Sequence, residues 1–511
     1  MLKKKQQNQN EELFVKSNRI AILTFLLLFF TLNGIASNYV AFKPQIVSIQ
    51  KKNIQLQLDE AHQQLTKQQL SDSKNSAIAY LRHVNGYLRY FVTEDNRDYE
   101  QYKTSENTAL LHFDKLLDSS PFKGFFKSDV YLYAATLDLR NGNFYEAAKS
   151  LRKSWNLIEE NHKRFPHFKP NNKIRGILRI YLSAIPENYS WMTNLMGFDG
   201  DLNIGITLLK QLSDFKTDTT YLGILAQESS YILANSMMQI QKHPHHAWLE
   251  MLKCTQDYKT NLLSNYFRSN MALKLNKNDV ALKTLTSIPT SSSYISFPTM
   301  SYYAGLAKLY KGDPNAIYDF KFFLENYKGK HLIKSCYEKM SWHSLLSNDF
   351  EEAQHYKNEI GRYGTLIMEE DKQAQRYLRK QLSDPIILKA RLLFDGGYYQ
   401  SAYNTIIHTK VKALSTMDKK SEYCYRKGRI LDRLGHQEQA LVFYEASTIY
   451  GKKSKEYYGP YACIFMGDIY LKQGKRTLAK QFYTRATTYS NNQEYIQTIE
   501  QRAKSGLKQL K

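Results

Sequence analysis

Near its C-terminus the chain repeats itself at a fixed offset. Gly428-x2-Leu431-x3-Gly435-x4-Ala440-x3-Tyr444 returns as Gly467-x2-Tyr470-x3-Gly474-x4-Ala479-x3-Tyr483, with every anchor moved by 39 residues. A period of this size commits a chain to stacking one supersecondary unit on the next, because a single unit cannot bury its apolar face alone. The residue types identify the unit as a helical hairpin. Gly428 and Gly467 let one helix approach its partner, Gly435 and Gly474 close a short turn, and Ala440 and Ala479 mark the closest crossing of the second helix. Leu431/Tyr470 and Tyr444/Tyr483 fill the space beside those contacts. Composition agrees: Gly (23) and Pro (11) make up about 7% of 511 residues where roughly 12% is ordinary, too few turn-formers for a sandwich or barrel. With 42% hydrophobic and 13% aromatic residues, a disordered chain is also excluded.

The phrase Gly467, Tyr470, Gly474, Ala479, Tyr483, Ala486 resembles the tetratricopeptide repeat without a gap, and the resemblance is clearest over residues 385–490. The same phrase recurs at Asn141 to Ala148 and at Gly397 to Ala402, and in weaker form at Asn276 to Ala281, Asn348 to Ala353, Gly312 to Ala316 and Gly200 to Gly205. Turns are therefore expected at 142, 200, 276, 312, 348, 397, 435 and 474, with Asn replacing Gly where a left-handed backbone is needed. The resemblance implies an all-α fold of tandem helical hairpins wound into a superhelical solenoid. Clear repeats are expected over 381–511, divergent ones over 125–380, and a helical N-terminal region without repeat signature over 37–124. Lys43 to Lys74, rich in Gln and Lys, reads as a polar helix or linker, and Pro186 to Leu209 as a corner of the superhelix.

Residues 1–36 read as a signal peptide or membrane anchor. Lys3, Lys4, Lys5, Lys16 and Arg19 precede an uncharged stretch from Ile20 to Phe42, almost wholly aliphatic or Phe up to Leu32. A positive flank before an apolar run is a membrane-insertion signal. Gly34-Ile35-Ala36 offers small residues for cleavage after Ala36, while the 23 uncharged residues are long enough to cross a roughly 30 Å hydrocarbon core as one helix. Either outcome puts the repeats on the outer side of a membrane, in the periplasm if the cell is Gram-negative. The opposite topology, a membrane-tethered intracellular adaptor, conflicts with the positive-inside rule.

Without residues 1–36 the chain keeps 66 Lys+Arg against 46 Asp+Glu, a net charge of +20. Such a body attracts anionic partners. In tetratricopeptide repeats the first helix of each hairpin lines the concave groove, so the resemblance implies that Tyr425, Arg429, Asp432 and Arg433, then Ile464, Asp468, Leu471 and Lys472, and Arg391 from an earlier repeat, face a partner. Arg391, Tyr425, Arg429, Arg433, Asp468 and Lys472 are the expected partner-binding residues. Arg offers a planar fork to carboxylates and Tyr a flat contact, a surface suited to an acidic peptide. No helix-turn-helix, zinc finger or RNP motif occurs, and no nucleic-acid partner is expected.

Catalytic signatures are absent. No GxGxxG, GxxxxGK[ST], HExxH or GxSxG occurs, and neither metal nor cofactor is expected. Cys254, Cys336, Cys424 and Cys463 form no CxxC; they read as free structural thiols, with a bridge between Cys424 and Cys463 as an alternative. His243-Pro244-His245-His246 reads as a polar loop. Glu351-Glu352 and Glu369-Glu370 read as solvated helix surface, because adjacent helical residues diverge by about 100° whereas a glycosidase needs two carboxylates facing one sugar. The expected function is thus a non-catalytic, exported or membrane-anchored scaffold that binds a protein or peptide in a concave groove. The alternative is a cell-envelope enzyme on a helical toroid acting on a polysaccharide, for which a deep pocket with two facing carboxylates is the discriminating feature.

Overall fold

The computed structural model describes residues 37–185, 191, 197, 200–215, 220–240, 243–289, 291–489 and 494–510. The expected signal peptide or membrane anchor, residues 1–36, and the expected cleavage after Ala36 lie outside them. Among the described residues the chain is all-α, with two isolated bridges near its start and no β-sheet. Two helices, α1 (Pro44–Gln55) and α2 (Leu58–Ser71), lead into seven hairpins. These are α3 (Ser76–Thr93) with α4 (Asn96–Asp114), α5 (Pro121–Asn141) with α6 (Phe144–Arg164), α7 (Asn171–Ser183) with α8 (Leu202–Ser213), and α9 (Tyr221–Gln239) with α10 (Pro244–Cys254). Next come α11 (Leu262–Lys274) with α12 (Asn278–Leu285), α13 (Thr299–Lys311) with α14 (Ala316–Asn326), and α15 (Ile333–Leu346) with α16 (Phe350–Glu359). A lone helix, α17 (Glu369–Leu378), joins these to α18 (Pro385–Asp395) with α19 (Tyr399–Ile406), α20 (Met417–Arg433) with α21 (Gln437–Tyr450), and α22 (Tyr458–Lys472) with α23 (Arg476–Thr487); α24 (Ile496–Lys508) caps the end. Each hairpin packs on the next, and first helices touch the first helices of neighbouring hairpins, the contact pattern of a solenoid.

One contact closes the array. Helix α1 crosses to pack on α9 and α11, far along the chain. Gln50 Nε2 donates to Glu228 Oε1 at 2.9 Å, and the Ile295 N–H donates to the Leu56 carbonyl at 3.0 Å. Ile46, Ile49, Gln50, Asn53 and Ile54 are all buried. This corrects the reading of Lys43 to Lys74 as a polar helix or linker: the polar residues are there to hydrogen-bond inside the core, as Asn53 does with the Leu81 carbonyl at 3.2 Å. The folded body begins at once after the leader, since the Asn38 N–H donates to Lys115 and Phe42 stacks on Tyr221 with centroids 3.8 Å apart. An unbroken apolar core then runs from Ile46 to Leu392, and Ile387 and Ala390, on the same helix α18 as Leu388 and Leu392, belong to a separate C-terminal cluster.

The expected turns are mostly where the repeat pattern puts them. Gly142, Asn276, Gly312, Asn348, Gly397, Gly435 and Gly474 all have positive φ. The following residue commonly bonds back across the helix end, as Lys475 does to the Tyr470 carbonyl at 2.9 Å, so the turn stops one helix and starts the next. Gly200 departs from this. It lies against α7, where a Cβ would come within 2.0 Å of the Ser183 nitrogen, and the true close crossing of α7 and α8 is at Gly176 and Gly205. Between them the chain takes a long connection, partly outside the described residues, in place of a tight turn.

The packing glycines do what their positions imply. A Cβ on Gly428 would meet the Tyr444 ring at 2.8 Å, and one on Gly467 the Tyr483 ring at 2.7 Å. Tyr483 is held from its other side by Gly506 of α24, where a Cβ would fall 2.5 Å from Cζ. Replacing Gly467 by Ala is expected to destabilise the C-terminal repeats by about 1–3 kcal/mol through overpacking. Chemical denaturation followed by tyrosine fluorescence checks this, with Ala at the exposed, open Lys480 position as the neutral control.

Candidate functional site

Closure by α1 leaves a hollow of about 480 Å³ inside the array, lined by residues from Ile54 to Glu370. Its wall is a run of touching rings from different hairpins: Tyr133 to Tyr87 at 4.3 Å, Tyr87 to Phe91 and Phe91 to Tyr266 each at 6.2 Å, and Tyr266 to Tyr303 at 5.9 Å. The floor is ionic. Lys173 Nζ donates to Asp129 Oδ2 at 3.0 Å and to the Tyr133 hydroxyl at 3.1 Å, and pairs with Glu228 Oε2 at 2.9 Å. The Tyr80 hydroxyl donates to Asp129 Oδ2 as well, while Asp129 Oδ1 has no hydrogen-bond partner. These groups come from α3, α5, α7 and α9, with Gln50 of α1 behind Glu228. Burial alone would push the Lys173 ammonium down, but the two carboxylates outweigh it and hold the group well above its ordinary range. Lys173 is therefore a fixed counter-ion and not a nucleophile.

Two smaller hollows continue the inner surface towards the C-terminus. One of about 220 Å³ shares Asn270, Lys274, Tyr303 and Glu370 with the first. The last, of about 120 Å³, shares Arg391 and Asp395 with the second and adds Arg426 and Arg429. Its polarity is the reverse of the first: three guanidinium groups line it with Asp395 as the one carboxylate. Arg391 lies 3.7 Å from Asp395 and over the Trp342 ring, and Arg426 pairs with Glu422 at 3.1 Å. Arg429 has no carboxylate within 4.0 Å among the described residues. It donates to the Tyr425 hydroxyl at 3.1 Å and lies 4.2 Å over Phe465.

Of the expected partner-binding residues, Arg391 and Arg429 thus meet at one hollow. Arg433 and Lys472 are exposed beyond it. Tyr425 is not a surface contact: it is 3% exposed because Tyr457 and Tyr458, at the start of α22, pack on it at 5.8 and 5.6 Å. Its hydroxyl positions Arg429 instead. Asp468 is engaged within the fold by the Tyr483 hydroxyl at 2.7 Å and Arg502 at 3.3 Å. Arg426 was the residue missed, although Arg426, Arg429 and Arg433 at spacings of three and four already mark one helical face. The alternative bridge between Cys424 and Cys463 does not form. All four cysteines are free, and burial pushes the thiols of Cys424 and Cys463 up to about 12, which leaves them inert. His245 and His246 are not in a loop but in the first turn of α10, which Pro244 opens. Among the described residues no group of His, Cys, Asp and Glu is placed to hold a metal, and no helix is long and apolar enough to cross a membrane.

Replacing Lys173 by Met is expected to cost about 3–5 kcal/mol, because it strands two buried carboxylates without their counter-ion. Urea melts of the variant beside the wild type would show the loss.

The tetratricopeptide repeat family model matches residues 421–448 and 460–493. No curated protein matches the chain in sequence. Among solved structures, a human IFIT1 dimer with m7Gppp-AAAA is similar at 12% identity over 81% of this chain and 92% of that one, with a TM-score of 0.37. The tetratricopeptide repeat domain of P58(IPK) aligns at 15% identity over 75% of this chain and 98% of its own, with a TM-score of 0.20. The Cut9–Hcn1 hetero-tetramer of the APC/C aligns at 13% identity over 87% of each chain, with a TM-score of 0.23.

Proposed function

We propose that this chain, whose residues 421–448 and 460–493 are tetratricopeptide repeats, is an exported, non-catalytic scaffold that holds a partner protein by an acidic segment along its C-terminal inner surface. The observation that carries this reading is the convergence of Arg391, Arg426 and Arg429 on one hollow with a single lining carboxylate. Aromatic faces hold the guanidinium groups in place before any partner arrives, so little side-chain entropy is lost on contact. Arg433 and Lys472 extend the positive surface outward.

The start of the folded body bears on the leader. Residues 38–42 are used by the fold, so at most residues 20–37 of the uncharged stretch are left to span a membrane. That segment is at the short limit for a spanning helix, which supports cleavage after Ala36 over a retained anchor. The enzyme alternative finds no support in the 480 Å³ hollow. Asp129 and Glu228 at its floor are bridged by the Lys173 ammonium, which occupies the space a scissile sugar oxygen would need.

The test is affinity capture from detergent-solubilised envelope with the full chain beside a variant carrying Arg429→Glu and Arg433→Glu. The reading expects a partner with an acidic stretch to be retained by the wild type, released by salt, and lost from the variant. Equal retention by both would sink it.

A further inference from the structure

The large N-terminal hollow is a second feature, independent of the arginine-lined one. Elsewhere the array fills the space between hairpins with aromatic rings. Here Tyr87, Phe91, Tyr133, Tyr181, Tyr266 and Tyr303 stand part-exposed around a space of about 480 Å³, the size of a site for a drug-like molecule. Rings held on five different hairpins and left facing water are a standing hydration cost that a ligand of matching shape would remove.

The floor selects the ligand's charge. Asp129 and Glu228 share one ammonium, that of Lys173, and so carry a net negative charge. The ammonium is the hidden partner, with its side chain 3% exposed, whereas the Glu228 side chain is 11% exposed at the floor of the hollow. Asp129, fully buried and lining the same floor, has one carboxylate oxygen with no donor. The other charges that line the hollow do not reverse this balance. Arg140 is tied to Glu94 and lies 4.9 Å over Phe91, and Lys274 and Glu370 oppose each other at the wall shared with the next hollow. An anion entering here meets carboxylates first. A cation meets carboxylate oxygens with acceptor capacity and the faces of tyrosine rings, the two groups that stabilise an ammonium in a partly dry site.

We propose that this hollow is a binding site for a small amphipathic amine, with its ammonium at Glu228 and Asp129 and its aromatic or aliphatic body against the tyrosine wall. The strongly basic chain thus carries, at the other end of its inner surface, a pocket for the opposite charge.

The probes are tryptamine, tryptophol and indole-3-acetate, which share one ring body and differ in the charge of the tail. Isothermal titration of the full chain should give tryptamine at least a tenfold advantage over tryptophol and no measurable binding of indole-3-acetate. Glu228→Gln should remove most of that advantage, read as the ratio of tryptamine to tryptophol affinity in the same variant. Should Glu228→Gln fail to fold, Asn235→Trp, which puts a large ring at a lining position of the hollow, should abolish binding of both tryptamine and tryptophol. Equal affinity for all three probes, tightest binding of indole-3-acetate, or undiminished tryptamine binding by the folded Asn235→Trp variant would each overturn the proposal.

Discussion

Everything inside the N-terminal two-thirds of the molecule depends on where α1 sits. A solenoid is ordinarily open along its inner surface, because each repeat contacts only its neighbours. Here α1 reaches across to α9 and α11, and a hydrogen bond between a glutamine and a carboxylate that are 178 residues apart joins the two ends. The Glu228 that receives Gln50 is also one of the two carboxylates around Lys173. The contact that closes the array and the ionic floor of its hollow are therefore one network. A buried pair of carboxylates with one ammonium contributes little net stability of its own; its effect is to fix how α5, α7 and α9 sit against each other, and that fixes the aromatic wall above it.

The C-terminal repeats are built on a different constraint. There the helices approach through glycine, and an aromatic ring seals each close crossing, with Tyr444 over Gly428 and Tyr483 between Gly467 and Gly506. That packing needs no long-range closure, and beside it the arginines of α18 and α20 gather on aromatic rings. The chain so combines a hollow floored by two carboxylates around one ammonium with a smaller one lined by three guanidinium groups, joined through a middle hollow that shares lining residues with both.

What could be read in the sequence follows from what is local. Seven of the eight expected turn positions adopt positive φ, because a turn is decided by a few adjacent residues and the Gly or Asn that tolerates it. Gly200 failed because its backbone lies against the C-terminal end of α7, a non-local demand that no short window shows. The packing roles of Gly428, Gly467, Tyr444 and Tyr483 were legible since the repeat displays them twice. Tyr425 was misplaced since this repeat is five residues longer than the 34 of the family, and the start of α22 brings Tyr457 and Tyr458 over it. The burial of α1 and the meeting of Asp129, Lys173 and Glu228 left no trace in any window, because the partners come from four separate helices and each reads alone as a surface polar residue.

The most direct measurement is hydrogen exchange of the α1 amides in the native full chain. If α1 closes the array, the amides of Ile49, Gln50, Asn53 and Ile54 exchange as slowly as those at the centre of α9, and they quicken together when Glu228 is replaced by Gln. If α1 is a peripheral helix, its amides exchange orders of magnitude faster than those of α9 and ignore that substitution, and the long-range closure on which the account rests does not exist.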